Sequence, residues 1–264
     1  MENPVVAGVL VALIVPFLGN TLGAALVFLM RHGMSERFTK ALLGFAAGVM
    51  IAASVWSLIT PALEAAEGGP VPAWAPAAVG FLGGMLLLLA IDHFTPHLHV
   101  GSDEPEGPVT TLKKPTMMLF ALAIHNLPEG MAVGVVLAGF LAGDPTIMLA
   151  SVVALSLGIA IQNVPEGAVV SLPLTANGMS RSKAFLAGTL CGAVEPVGAV
   201  LMVAITGLVT PLLPYVLAFA AGAMMYVVTE ELIPQTQQGR HTNIGTIGVA
   251  FGFVLMMVLD VALG

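Results

Sequence analysis

Three apolar stretches of the chain carry side chains of types that can bind metals. His125-Asn126-Leu127-Pro128-Glu129-Gly130 recurs as Gln162-Asn163-Val164-Pro165-Glu166-Gly167, and Glu195 follows in a third apolar run. His125 and Glu129 are four positions apart, as are Gln162 and Glu166, so on helices each pair projects from one face. Asn126 and Asn163 lie one position round. Pro128 and Pro165 have no N–H to donate, which predicts released carbonyls at Ile124 and Ile161 and a kink that turns neighbouring side chains inward. Pro196 repeats the device behind Glu195. One imidazole, three carboxylates and three carboxamides, with no thiolate, suit Zn²⁺, Fe²⁺, Mn²⁺, Co²⁺ or Cd²⁺ and argue against Cu⁺. That set exceeds the four ligands of one tetrahedral zinc. Two adjacent ions bridged by Glu129 and Glu166 fit it. The alternative is a polar cluster that only joins helices by hydrogen bonds, which rarely needs three carboxylates.

The elements that carry these residues follow from composition. Of 264 residues, 58% are hydrophobic and 9% charged, with a mean hydropathy of +0.99. Soluble proteins carry about 25% charged residues. The composition excludes a soluble enzyme, a disordered chain and a nucleic-acid binder, and the single Cys191 excludes a disulfide scaffold. Eight runs are long and apolar enough to cross a bilayer: 5–30, 41–63, 74–95, 116–140, 146–174, 184–209, 212–234 and 244–263. The expected fold is therefore an all-α integral membrane protein, one domain over 1–264. The first run has no basic n-region and is too long for a cleavable signal peptide. Ionisable groups inside a bilayer cost about 2.5–3.5 kcal/mol each at a helix centre. His125, Glu129, Glu166 and Glu195 all sit there, so cations or protons must compensate the carboxylates.

Charge sets the orientation. Arg31, Arg37, Lys40, Lys113, Lys114, Arg181, Lys183 and Arg240 all fall in one set of loops, while the other set holds Glu2, Glu64, Glu67 and Asp144. Positive-inside asymmetry then places both termini outside the cytoplasm, and a bacterial inner membrane is the simplest placement. A second repeat joins the flanks. Phe45-Ala46-Ala47-Gly48 in span 2 matches Phe219-Ala220-Ala221-Gly222 in span 7, and Leu58-Ile59 matches Leu232-Ile233 with a proline just beyond each. Three spans, a central pair and three inverted spans is an arrangement of secondary transporters, with substrate near the midplane.

The paired motifs resemble those of the ZIP (Zrt/Irt-like) family of divalent metal transporters, and Gln162 in place of histidine resembles its bacterial GufA-type subgroup. The likeness extends over all eight spans, including Asp92, Pro96-His97-Leu98-His99 and Glu230-Glu231-Leu232-Ile233-Pro234. The resemblance implies an eight-helix fold, metal movement toward the cytoplasm, a binuclear midplane site and an elevator-like motion. His125, Glu129, Gln162 and Glu166 resemble its first metal site. Asn126, Asn163 and Glu195, with the two glutamates bridging, resemble the second. Gln162 is a weaker ligand than histidine, and Asn163 is neutral, so the second site is expected to be the weaker.

Asp92, His97 and His99 near the end of span 3, with Glu230 and Glu231 of span 7, are candidates for a cytoplasmic metal exit. A solvated His-rich loop and a solvated helix end are the alternatives, and His93 is the weaker candidate. Glu64 and Glu67 read as an acidic loop, Asp144 as a turn residue, the methionines and Cys191 as packing, and 96–115 as a cytoplasmic linker, flexible over 101–112. Divalent metal ions and the bilayer are the expected partners, with a homodimer compatible with the sequence. No catalytic cofactor is expected. A metal importer is the leading function. A channel would use the same ligands, and a proton-coupled carrier also uses buried carboxylates. A metallohydrolase would need a general base and an open coordination position, and His-Glu-x-x-His is absent. No phosphate-binding G-x-x-x-x-G-K-[ST] loop occurs either, so gradients or a partner must drive movement.

Overall fold

The computed structural model describes residues 4–30, 34–98, 105–176, 178–208, 212–239 and 242–263. Among them, eight helices are long and apolar enough to span a membrane: α1 (Pro4–Leu29), α2 (Glu36–Ala65), α3 (Trp74–Phe94), α4 (Thr116–Ala142), α5 (Leu149–Ala176), α6 (Arg181–Ile205), α7 (Leu213–Gln237) and α8 (Ile244–Leu263). These match the expected spans within a few residues. The largest difference is the start of α2, where Ser35 in an extended conformation accepts a hydrogen bond from the Phe38 N–H at 3.3 Å and caps the helix.

Proline acts differently from one helix to the next. The helices continue through Pro128 and Pro165. In α6 the helix resets at Ala193, whose N–H bonds to the Leu190 carbonyl at 3.2 Å, upstream of Pro196. In α2 and α7 the disturbance is a π-turn. The Thr60 N–H reaches Val55, and the Ile233 N–H reaches Val228, each one residue further back than in an α-helix. Pro61 and Pro234 follow, and neither can donate to the carbonyl four residues before it.

These π-turns occupy equivalent positions in the flanking repeat, Ser54–Ile59 in α2 and Val228–Leu232 in α7. Packing obeys the same exchange. The most extensive helix pairs are α1 with α5, α2 with α8, α3 with α7 and α4 with α6. Exchanging 1 with 6, 2 with 7, 3 with 8 and 4 with 5 maps this set onto itself. Individual contacts follow. A Cβ on Gly48 would strike the carbonyl of Val249, and one on its counterpart Gly222 the carbonyl of Phe81. Gly252 lies against Phe45 in the same manner as Gly84 against Phe219. Backbones that approach this closely need small residues, the usual basis of helix association in lipid. Ala46, Ala47, Val49 and Met50 of one half, with Ala220, Ala221, Ala223 and Met224 of the other, are fully buried at the centre.

Candidate metal centre

The motif glycines place the polar residues. A Cβ on Gly130 would strike the backbone of Glu195, so α4 docks on α6 at that glutamate. A Cβ on Gly167 would strike the backbone of Asn20, so α5 docks on α1 one motif later. His125, Asn126 and Glu129 from α4, Gln162, Asn163 and Glu166 from α5, and Glu195 from α6 are all buried.

His125 is the hub. Its Nε2 lies 3.3 Å from Glu166 Oε1 and 4.0 Å from Glu129 Oε1, and its Nδ1 lies 3.3 Å from Glu231 Oε2. Ligand atoms of His125, Glu129 and Glu166 all lie within 4.8 Å of one another, close enough for one cation to touch all three. Gln162 Nε2 donates to Glu129 Oε1. Asn163 Nδ2 donates to Glu195 Oε2 at 2.8 Å and to the Pro16 carbonyl at 3.2 Å. Two subclusters result, sharing α5: His125, Glu129, Gln162 and Glu166 from α4 and α5, then Asn163 and Glu195 from α5 and α6. Both side-chain polar atoms of Asn126, and Glu129 Oε2, Gln162 Oε1, Glu166 Oε2 and Glu195 Oε1, are buried without a protein hydrogen bond. Buried polar atoms are normally bonded, and this many orphans around one locus fit a coordinated ion.

A cavity of about 40 Å³ touches His125, Glu166, Glu231 and Gln235. Beyond it, a wider cavity of about 360 Å³ shares Leu43, Val169 and Gln235 with the first and is lined by Glu36, Lys40, Gln238 and Gly239. Polar side chains therefore lead from His125 toward the basic end of the bundle, where Lys40 Nζ pairs with Glu36 at 2.8 Å.

Of the expected exit residues, Glu231 is buried and joins His125, whereas Glu230 is exposed. Consecutive side chains on a helix diverge by about 100°, so the two neighbours face different surroundings. Asp92 and His97 meet at 3.0 Å, with His97 Nδ1 2.8 Å from the Thr95 carbonyl. His99 lies outside the described residues, and His93 is exposed against Phe94. Glu106 was not anticipated. Its backbone exchanges two hydrogen bonds with His97, and its carboxylate lies 4.0 Å from His97 Nε2, which ties this residue of the linker to the end of α3. Asp92, His97 and Glu106 form a second group whose ligand atoms converge within 4.8 Å. At the position in α8 equivalent to Asp92, Asp260 accepts a 2.6 Å hydrogen bond from Ser57, which in turn stands where the repeat places Glu231. Asn20, buried beside Glu195, was missed because a lone asparagine in an apolar span gives no spacing signal.

Glu64 and Glu67 are exposed, but only Glu67 is in the loop, since Glu64 lies in the last turn of α2. Asp144 Oδ1 accepts from the N–H of Thr146 at 2.9 Å and from its hydroxyl at 2.5 Å, a turn role. Cys191 is buried, with Sγ 3.8 Å from the Leu119 carbonyl.

Eight membrane-spanning helices around a buried carboxylate–imidazole cluster define an integral membrane protein built to handle a cation. The family described as ZIP Zinc transporter matches residues 115–260. Zinc transporter ZIPB of Bordetella bronchiseptica is 42% identical over 94% of this chain and 79% of its own length. Zinc transporter GufA of Myxococcus xanthus is 41% identical over 79% of this chain and 81% of its own. Zinc transporter ZIP11 of Xenopus tropicalis is 36% identical over 92% and 93%. The chain belongs to the ZIP zinc transporter family, and it is a metal-ion transporter rather than an enzyme.

Proposed function

We propose that this chain carries zinc across a bacterial inner membrane toward the cytoplasm, with Cd²⁺, Fe²⁺, Mn²⁺ and Co²⁺ as further substrates of the same donor set. The ion binds His125, Glu129, Gln162 and Glu166, and a second ion position uses Asn126, Asn163 and Glu195 with the two glutamates bridging. The observation that carries this reading is the convergence of the His125, Glu129 and Glu166 ligand atoms within 4.8 Å in a buried site with several orphaned polar atoms. The names of the relatives, all zinc transporters, support zinc over the other metals.

Both termini lie outside the cytoplasm, so the basic end faces inward. The cavities running from His125 past Glu231 to Lys40 are then the release route, with Asp92, His97 and Glu106 beside it. The carboxylates make metal entry favourable, and the neutral Gln162 and Asn163 keep the charge low enough for release. A site reached from one side at a time is the design of an alternating-access carrier, here with elevator-like movement of the helices that hold the ligands. Zinc flux into proteoliposomes tests it. Saturable uptake, lost in Glu129→Ala and Glu166→Ala at equal reconstitution, is expected. Wild-type flux in both variants would overturn the site, and non-saturating, pore-like flux would favour a channel.

A further inference from the structure

Asn20 is the one strongly polar residue buried in α1, with 1% of its surface exposed. Its place follows from the inverted repeat. Gly167 docks on the Asn20 backbone as Gly130 docks on the Glu195 backbone. One turn on, Gly23 lies against Val164 and Gly198 against Leu127, again as counterparts. The local sequences agree: Asn20-Thr21-Leu22-Gly23-Ala24 in α1 and Glu195-Pro196-Val197-Gly198-Ala199 in α6. Asn20 thus holds in one half the position that Glu195 holds in the other.

The two side chains also meet. The Asn20 carboxamide lies beside the Glu195 carboxyl. It is hemmed in by α5 and α6, for a Cβ on Gly167 would lie 2.7 Å from Oδ1 and one on Gly192 2.5 Å from Nδ2. Asn163 reaches the same place from α5, bonding Glu195 and the Pro16 carbonyl one turn before Asn20. The Asn20 carboxamide oxygen, Oδ1, has no protein hydrogen-bond donor, and Glu195 Oε1 is likewise orphaned. A carboxamide held by close packing against two glycines therefore presents a buried oxygen with no protein partner, which is free to meet an ion.

We propose that Asn20 is a metal-site residue: its Oδ1 is a neutral oxygen ligand to the divalent ion at the Asn163–Glu195 position. This rests on the proposed function and adds a fourth helix to the site. The chemistry explains the mismatch between the halves. A carboxylate at both symmetry-related positions would place two negative charges at one ion in addition to Glu129 and Glu166, and a carrier must release what it binds. A neutral oxygen completes the coordination of a hard or borderline ion without that charge.

The test is Zn²⁺ and Cd²⁺ titration of the purified full chain in detergent, with metal-free thermal unfolding as a folding check. Asn20→Ala should weaken binding of the lower-affinity ion by about tenfold or more, the scale on which coordination-shell losses act. Asn20→Asp, which keeps an oxygen at the same reach and adds charge, should restore or tighten that binding and slow turnover in proteoliposomes. A purely structural asparagine would lose metal-free stability in both variants, and restoration by aspartate would not occur. Metal affinity indifferent to Asn20→Ala, or a folded Asn20→Asp that fails to restore it, would overturn the proposal. Glu166→Ala in the same titration reports separately on the paired-motif site, which fails if that variant binds both ions normally, whatever Asn20 does.

Discussion

Gly130→Ala adds one methyl group at the place where α4 meets the backbone of Glu195. The new Cβ would lie 2.7 Å from the Glu195 Cα. Non-bonded carbons settle at about 3.5–4.0 Å, so α4 and α6 must part by about 1 Å. Both partners are backbone, and no side chain can swing away to relieve the contact. Overpacking of this kind costs about 1–3 kcal/mol, a measurable loss of thermal stability. Function should suffer more. His125 and Glu129 ride on α4 within a turn and a half of Gly130, and metal–ligand distances tolerate only about 0.2 Å. A displacement of about 1 Å in a positioned site can cost about 100-fold in rate. Zinc uptake in proteoliposomes should therefore fall by one to two orders of magnitude, with a lowered melting temperature. Gly83→Ala is the control, because its Cβ would lie 3.5 Å from Phe219 Cδ2, an ordinary contact, and it should behave as wild type. Wild-type uptake by Gly130→Ala would refute the claim that this glycine sets the site.

Glu195→Ala should change uptake rate or the zinc-to-cadmium preference without eliminating transport, measured as competing uptake of the two metals. Gln162→His replaces a weak amide donor by imidazole and should tighten zinc binding while slowing turnover, seen as a lower KM with a lower maximal rate. Glu231→Gln removes the carboxylate 3.3 Å from His125 Nδ1, and efflux from preloaded vesicles, which runs the release route in reverse, should slow more than zinc binding weakens. Metal binding by imidazole and carboxylates competes with protons, so zinc added to unbuffered protein should release protons, and affinity should fall as pH falls.

The spans were legible because lipid imposes one rule, a run of about 20 apolar residues, and because the charge asymmetry separated the loops. His125, Glu129 and Glu166 were legible because ionisable groups are rare at such depth and because the motif occurs twice. Glu231 was placed by sequence at the helix end, but α7 continues to Gln237, and Glu231 lies inside it at a π-turn, buried against His125, with Glu230 exposed. Helical periodicity assumes 3.6 residues per turn, and a π-turn departs from it. Glu106 escaped notice because its role depends on a two-bond bridge to His97 across the linker. The likeness of Asn20-Thr21-Leu22-Gly23-Ala24 to Glu195-Pro196-Val197-Gly198-Ala199 is present in the sequence. Only the matching glycine contacts distinguish it from coincidence in an alphabet of small residues.

If the paired motifs hold the transported ion, it lies between α4 and α5. Anomalous diffraction at the zinc absorption edge, from crystals of the full chain grown with zinc, locates the ion directly. A peak within bonding distance of His125, Glu129 and Glu166, lost in Glu166→Ala, is expected. Zinc peaks confined to surface carboxylates, with none between the two motifs, would contradict the proposed site.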